Sequence, residues 1–447
     1  MPQAPFILSN FTAPVSRWTS SGRRIALLCA VLITGAFAIL IGIRLGDSFK
    51  ISDVGWYLQL SYGDQGHKVV QPFASRQLGP AVVRLFAWML RWPQPRVFVV
   101  QGVVSLAVTL ATVYVLALRT AMHRWMLAAM ALVPFRPELY LGLAMPDLWY
   151  AAMLSVFLLL LWRKHFLIAA FMMFPLMVSR ESTSLTLVCF LVAGWRDLRW
   201  RGRLLAFVSA LAGTMLVQRL TALDPGNREH LPESLYLLSK APWNFMRNIM
   251  GVEPWSNVFP QLCRVPMWQY SLHAGPVQAI GICRFWILLP MTALAAGLST
   301  FGLLPLLTAF LWRRTKMVQE RSTLLRFALI YGAACLLMAP LLGVWMPHLF
   351  GYGWPFGLVA LPLLFEDVKA LYPEALTSKR AVAGVGFLAL HLVACGLAFL
   401  WASVVVDSTL VGLYLAGFAL LRWWFGSPVP GVGKRLHSNP QQAVAGT

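Results

Sequence analysis

FLIAAFMMFPLMVSRESTSLTLVCFLVA, residues 166–193, sets the charged pair Arg180–Glu181 in the middle of a run otherwise suited to a lipid bilayer. Read as one long span, it buries both charges at mid-membrane and carries the following basic cluster, Arg196–Arg203, to the opposite side. Read as two short helices, near 165–178 and 183–195, it leaves the pair at a turn and keeps the cluster on the side where the first helix began. Ionisable residues at membrane depth are costly and are kept where they face protein or a water-filled cavity. Both helices are shorter than the roughly 20 residues that cross a bilayer. The two-helix reading therefore implies a concavity at Arg180–Glu181 rather than a lipid-exposed kink.

Outward from this point, apolar runs recur along the whole chain. Of its 447 residues 59% are hydrophobic and 12% charged, with a mean hydropathy of +0.68. A soluble domain carries about a quarter charged residues. The expected fold is an all-α polytopic membrane protein of about twelve transmembrane helices. They lie near 25–45, 97–118, 125–142, 144–162, 165–178, 183–195, 204–219, 285–312, 324–345, 352–366, 381–404 and 408–424. Residues 1–424 then form one multi-pass domain with two long outer loops, 46–96 and 220–284, and residues 425–447 a disordered cytoplasmic tail. Arg17, Arg23 and Arg24 precede a first apolar stretch too long for a signal-peptide core, which reads as a retained span.

Threading these spans alternately from an inner N-terminus puts 21 of the 37 Lys and Arg on the cytoplasmic side. The four short outer links hold Arg180 alone. This positive-inside split places both termini in the cytoplasm and both long loops outside a plasma membrane. It also accounts for the net charge of +21 without nucleic acid as a partner. Pro80–Trp92 and Ser234–Met250 read as interfacial helices in contact with membrane lipids. Each has two cations seven apart, Arg84 with Arg91 and Lys240 with Arg247, placed to snorkel or to meet lipid phosphates. Cys263 and Cys283 share the longer loop, where an oxidising compartment would let them pair.

Eleven of the 16 acidic residues fall outside in this topology, among them Asp53, Glu138, Asp147 and Glu181. Asp53 and Tyr57 lie one turn apart on a helix-like segment that Ser52 can cap. Asp147 follows Pro146 at the start of a span, where it is as well placed to cap as to act. HExxH, CxxC, GxSxG and Gly-rich phosphate loops are missing. The scattered histidines lack metal-ligand spacing.

The order of motifs resembles one family. A first span is followed by an outer loop with an early acid (Ser52-Asp53-Val54-Gly55-Trp56-Tyr57) and by Pro72-Phe73-Ala74-Ser75-Arg76-Gln77-Leu78-Gly79-Pro80. Then come Met145-Pro146-Asp147, the Arg180–Glu181 pair between short helices, and a second large outer loop. This is similar to the GT-C superfamily of membrane glycosyltransferases, in its bacterial cell-envelope branch. The resemblance implies a polyprenyl-phosphate lipid as sugar donor and a glycan, lipid or protein acceptor. Asp53 would be the base, and Asp147 a second carboxylate that orients the acceptor or shares a divalent metal ion. Arg76 and Arg180 would face the donor phosphate, with Tyr57, Glu181 and Glu138 in support. Relatives carry a basic residue near the outer end of a late span; here only His348 stands in that region. A transporter or flippase of lipid-linked sugars and a catalytically silent assembly partner are the rival readings.

The topology is tested by reporter fusions. Positions near 200, 318 and 375 should report inside, and those near 60 and 255 outside. An outside report at 200 would overturn the two-helix reading of 165–195.

Overall fold

The computed structural model describes residues 52–63, 73–117, 146–222, 233–257, 265–274, 277–286, 323–342 and 351–356, with isolated positions at 69, 290, 349, 359, 409, 412, 416 and 419. The expected spans at 25–45, 125–142 and 381–404, most of those at 285–312 and 408–424, and the tail lie outside the described residues. The described part is mostly helical. Its helices are α1 (Ser52–Tyr62), α2 (Leu78–Leu90), α3 (Gln94–Ala117), α4 (Pro146–Trp162), α5 (Phe166–Phe171), α6 (Met173–Ser179), α7 (Thr183–Ala193), α8 (Trp200–Ala222), α9 (Glu233–Asn248) and α10 (Thr323–Leu342). Among the described residues three stretches are long and apolar enough to cross a membrane: Gln94–Thr112, Trp200–Thr221 and Thr323–Leu341.

The chain between α4 and α8 breaks where the sequence places the break. α5 and α6 form one apolar stretch, Phe166–Ser179, and α7 starts at Thr183 after an extended Arg180 (φ −165°, ψ 139°). At 1.5 Å per residue neither arm covers the roughly 30 Å of a hydrocarbon core.

Side-chain contacts give the helices their directions. Phe157 of α4 packs edge-on against Phe190 of α7 and Phe327 of α10, at 5.2 Å in each case. In one direction from this layer, the Tyr150 hydroxyl of α4 meets Thr186 of α7 at 2.9 Å, with Tyr331 of α10 beside them. In the other, Arg326 of α10 donates from Nε to the Ala193 carbonyl at 2.8 Å and from Nη2 to Asp197 at 2.5 Å. Helices α4 and α7 therefore run parallel, both from the Asp147–Arg180 end, and α10 runs antiparallel to them.

The Asp197–Arg326 end carries an aromatic and basic belt. Arg163 stacks on Trp162, Arg201 on Trp200 and Arg203 on Trp195, with the guanidinium carbon 4.8, 5.7 and 3.9 Å from the ring centroid. Tryptophan and arginine together are typical of a membrane–water interface. Between the two ends, α8 exposes Leu204, Phe207, Val208, Leu211 and Met215, a face suited to lipid.

Two expectations are corrected. The fold is not all-α: the second long loop contains an antiparallel sheet of β1 (Val252–Ser256), β2 (Trp268–Ala274) and β3 (Val277–Phe285), in order β1-β3-β2. Strand β3 runs up to Phe285, and most of the span expected near 285–312 lies outside the described residues. Arg247 does not snorkel either. It turns to the buried Glu253 of β1 (3.5 Å), which Arg284 of β3 also reaches. The sheet is thereby locked to α9, and Asn244 and Asn248 of α9 donate to the carbonyls of Leu341 (3.0 Å) and Pro340 (2.8 Å) at the end of α10. Carbonyls of a last helical turn lack intrahelical partners, so these amides both satisfy and dock it. Cys283 is disulfide-bonded; Cys189 and Cys335 are free, and Cys263 lies outside the described residues.

Helix α2 buries Gly79, Pro80, Val83 and Ala87 and exposes Leu85, Phe86, Trp88, Met89 and Leu90. Its apolar exposed face suits an interfacial helix. Arg91 sits beyond the helix in a left-handed cap (φ 53°) rather than on the face of Arg84.

A Cβ at Gly332 of α10 would stand 2.2 Å from Phe356 Cβ, so the 351–356 segment approaches α10 only because this residue is glycine. Gly332→Ala should cost about 1–3 kcal/mol by overpacking. Thermal unfolding in detergent checks this, and an unchanged midpoint would contradict so close an approach.

Candidate functional site

The break at Arg180–Glu181 gathers residues from four distant parts of the chain. In extended backbone, successive side chains point to opposite sides. Arg180, at the end of α6, turns to Asp147 in the first turn of α4, where its Nη1 donates to Oδ1. Glu181 turns to the first long loop, where Arg76 grips it with Nε to Oε2 at 3.1 Å and Nη2 to Oε1 at 2.5 Å. Planar, two-point pairing of this kind fixes orientation as well as charge. The sequence neighbours are thus not each other's partners.

Each ion pair has a tyrosine. Arg76 Nη1 donates to the Tyr57 hydroxyl at 2.5 Å. Tyr57 is fully buried and packs edge-on against Phe73 at 5.6 Å, and Arg76 lies over the same Phe73 ring. On the other side Tyr352 donates to Asp147 Oδ1, and the Arg180 guanidinium lies 4.2 Å from the Tyr352 ring centroid. Residues 73–77 are fixed by a backbone bond, Gln77 N–H to the Val178 carbonyl at 3.2 Å, which seats the loop on the end of α6.

Burial is nearly complete: Asp147 is 2% exposed, Arg180 4% and Arg76 8%. The cluster also lies short of the end of α8. A Cβ at Gly213 of α8 would meet Met177 of α6, so Arg180 stands level with about residue 216. Helix α8 runs on to Ala222, about 9 Å further. The end of α8 therefore extends beyond the level of the cluster.

Burial alone pushes the Glu181 carboxyl up. The charge and hydrogen bonds of Arg76, with Arg180 behind it, outweigh that and hold it at about 2, below its ordinary 4.5. Burial raises the Tyr57 phenol, against the opposing pull of Arg76 and Arg180, so it stays protonated at neutral pH.

Of the residues singled out from sequence, Tyr57, Arg76, Asp147, Arg180 and Glu181 meet here. Asp53 lies in the first turn of α1, one turn before Tyr57, which brings its backbone to the same loop unit. Its side chain, Glu138 and His348 lie outside what the structure describes. Tyr352 was missed. It belongs to Gly351-Tyr352-Gly353-Trp354-Pro355, a glycine-and-proline-rich turn that periodicity reads as the start of a span; the glycines flanking a single tyrosine were the available signal.

A divalent metal does not fit the described residues. No three His, Cys, Asp or Glu side chains gather among them, and the Asp147 and Glu181 carboxylates are each held by a guanidinium. No family model matches this chain, and no curated protein is similar to it.

The depressed Glu181 pKa gives a pH dependence with a definite sign. The Arg76–Glu181 tie contributes its full stability above about pH 4.5 and loses it as pH falls through about 2. The melting temperature should therefore drop over this interval more steeply for the parent than for Glu181→Gln, the curves meeting at its acid end. Parallel curves would contradict the assigned pair.

Proposed function

We propose that the chain is a membrane glycosyltransferase of GT-C-like architecture, with about twelve spans and both termini in the cytoplasm. It would move a sugar from a polyprenyl-phosphate donor to an acceptor on the outer face of the plasma membrane. The observation that supports this reading is the convergence of first-loop residues Tyr57 and Arg76 with Asp147, Arg180 and Glu181 in one buried, charged cluster. A donor with its phosphate at the membrane surface and a hydrophilic acceptor need such a meeting place, where groups from several segments are held in register.

In this reading Asp53 takes the proton of the acceptor hydroxyl as it attacks the anomeric carbon. The lipid phosphate leaves with the bonding electron pair, and cationic donors stabilise it. Arg180 suits that role. Its Nη1 is engaged by Asp147, while its Nε and Nη2 have no acceptor among the described residues. Arg76 is fully committed to Glu181 and Tyr57, so it serves better to shape the loop beneath Asp53 than to hold phosphate.

One observation favours a second reading. Both arginines already have carboxylate partners, as a silent assembly protein would need for stability alone.

Transfer from polyprenyl-phosphate hexose and pentose donors, measured in reconstituted vesicles, separates the two. Asp53→Asn keeps size but removes basicity, so transfer should fall about 10²–10⁴-fold with donor binding little changed. A folded Asp53→Asn variant that transfers at the parental rate removes the assigned base. A parent inactive with every such donor leaves the assembly reading.

A further inference from the structure

At the end opposite the Arg180 cluster, two connections lie side by side. The α4–α5 link carries Arg163 and Lys164, and the α7–α8 link carries Arg196 and Arg199, followed by Arg201 and Arg203 in the first turn of α8. A Cβ at Gly202 would stand 3.9 Å from Leu167, which brings the start of α5 against the start of α8 and so joins the two links into one surface. All six cations except the half-buried Arg203 are exposed. The one acid in these links, Asp197, is held by Arg326 and Thr323 of α10. Six positive charges thus share a small area with no free counter-charge among the described residues.

Local structure makes this crowding worse. Helix α8 has no acid in its first turn, where the helix dipole favours anions, and it sets arginines there instead. Lys164 is held in the left-handed region (φ 60°), a conformation disfavoured for a side-chain-bearing residue, while its neighbour His165 closes the turn onto the Leu160 carbonyl at 2.9 Å. Repulsion and the helix dipole both favour an anion here, and the described residues leave none free to supply it.

The surroundings say what kind. Trp195 and Trp200 are 62% and 67% exposed, and their rings carry the stacked Arg203 and Arg201. A stacked guanidinium keeps its in-plane N–H donors for phosphate. Immediately beyond the belt, Leu167, Ile168, Leu204, Phe207 and Val208 present an apolar exposed wall. We propose that this surface is a binding site for an anionic phospholipid. Its headgroup phosphate would sit among Lys164, Arg199 and Arg201, with its acyl chains along the α5–α8 wall. Basic recesses between helix ends at the membrane surface bind such headgroups, each cation contributing about a fivefold preference. The inference holds in whichever direction the helices are inserted, and it does not rest on the transferase reading.

The purified full-length protein in mixed micelles of phosphatidylcholine and phosphatidylglycerol, at equal mole fraction, tests it by native mass spectrometry. The parent should retain phosphatidylglycerol in clear excess. Arg199→Gln combined with Arg201→Gln should cut that excess by roughly twentyfold. Arg219→Gln, in the last turn of α8 at the opposite end of that helix, should leave it unchanged. Millimolar inorganic phosphate should not displace the lipid, because the apolar wall is part of the site. No excess in the parent, an excess unaltered in the double variant, or displacement by inorganic phosphate would each overturn the proposal. If the double variant is not monodisperse, Arg163→Gln with Lys164→Gln is measured instead, with the same expectation and the same contrary results.

Discussion

Taking a guanidinium or a carboxylate out of water costs several kcal/mol, and removing one partner of a buried pair costs about 3–5 kcal/mol because the other is left uncompensated. Arg180 and Glu181 carry that constraint into the middle of an apolar hairpin. The extended backbone at Arg180 sends the two side chains apart, so each needs a partner from elsewhere: Asp147 from α4 for one and Arg76 from the first long loop for the other. The α6–α7 break, the start of α4, the 73–77 segment and Tyr352 are consequently held to one point. Were the two neighbours simply paired with each other, nothing electrostatic would bind the loop to the helices.

The rest of the described bundle follows from that point in layers. Below it come the hydroxyls of Tyr150, Thr183 and Thr186, then the aromatic layer of Phe157, Phe190 and Phe327, then the clamp of Arg326 on Ala193 and Asp197. The Trp–Arg belt lies at this far end. Above the point, the ends of α8 and α10 continue outward, and α10 carries α9 and the sheet through Asn244 and Asn248. The two long loops are therefore fastened at the same end of the helices, opposite the basic belt. That arrangement agrees with the distribution of Lys and Arg in the sequence.

Much of this was legible because it depends on local signals. Two arms too short for a bilayer, separated by charges, predict the break at 180–182. The apolar lengths predict α3, α4, α8 and α10 to within a few residues. Partner choice was not legible, since it depends on the extended conformation of Arg180 and on which distant segment lies beside it. The role of Arg247 was hidden for the same reason: seven-residue spacing from Lys240 describes a helix face but not the Glu253 that arrives from β1. The sheet left a trace in the alternation of Trp268, Tyr270 and Leu272 with Gln269, Ser271 and His273. In a loop between apolar spans that alternation was outweighed by the helical signal around it. Tyr352 was masked by the apolar run that follows it.

The described fold depends on Arg180 and Asp147 acting as one unit, and a double-mutant cycle measures that directly. Asp147→Asn, Arg180→Gln and the combined variant are compared by unfolding in detergent. Each single change should cost about 3–5 kcal/mol, and the pair far less than the sum, because the second change removes a charge already stranded. Additive losses would mean that the two side chains do not depend on each other, and the break at Arg180–Glu181 would not be the point that orders this structure.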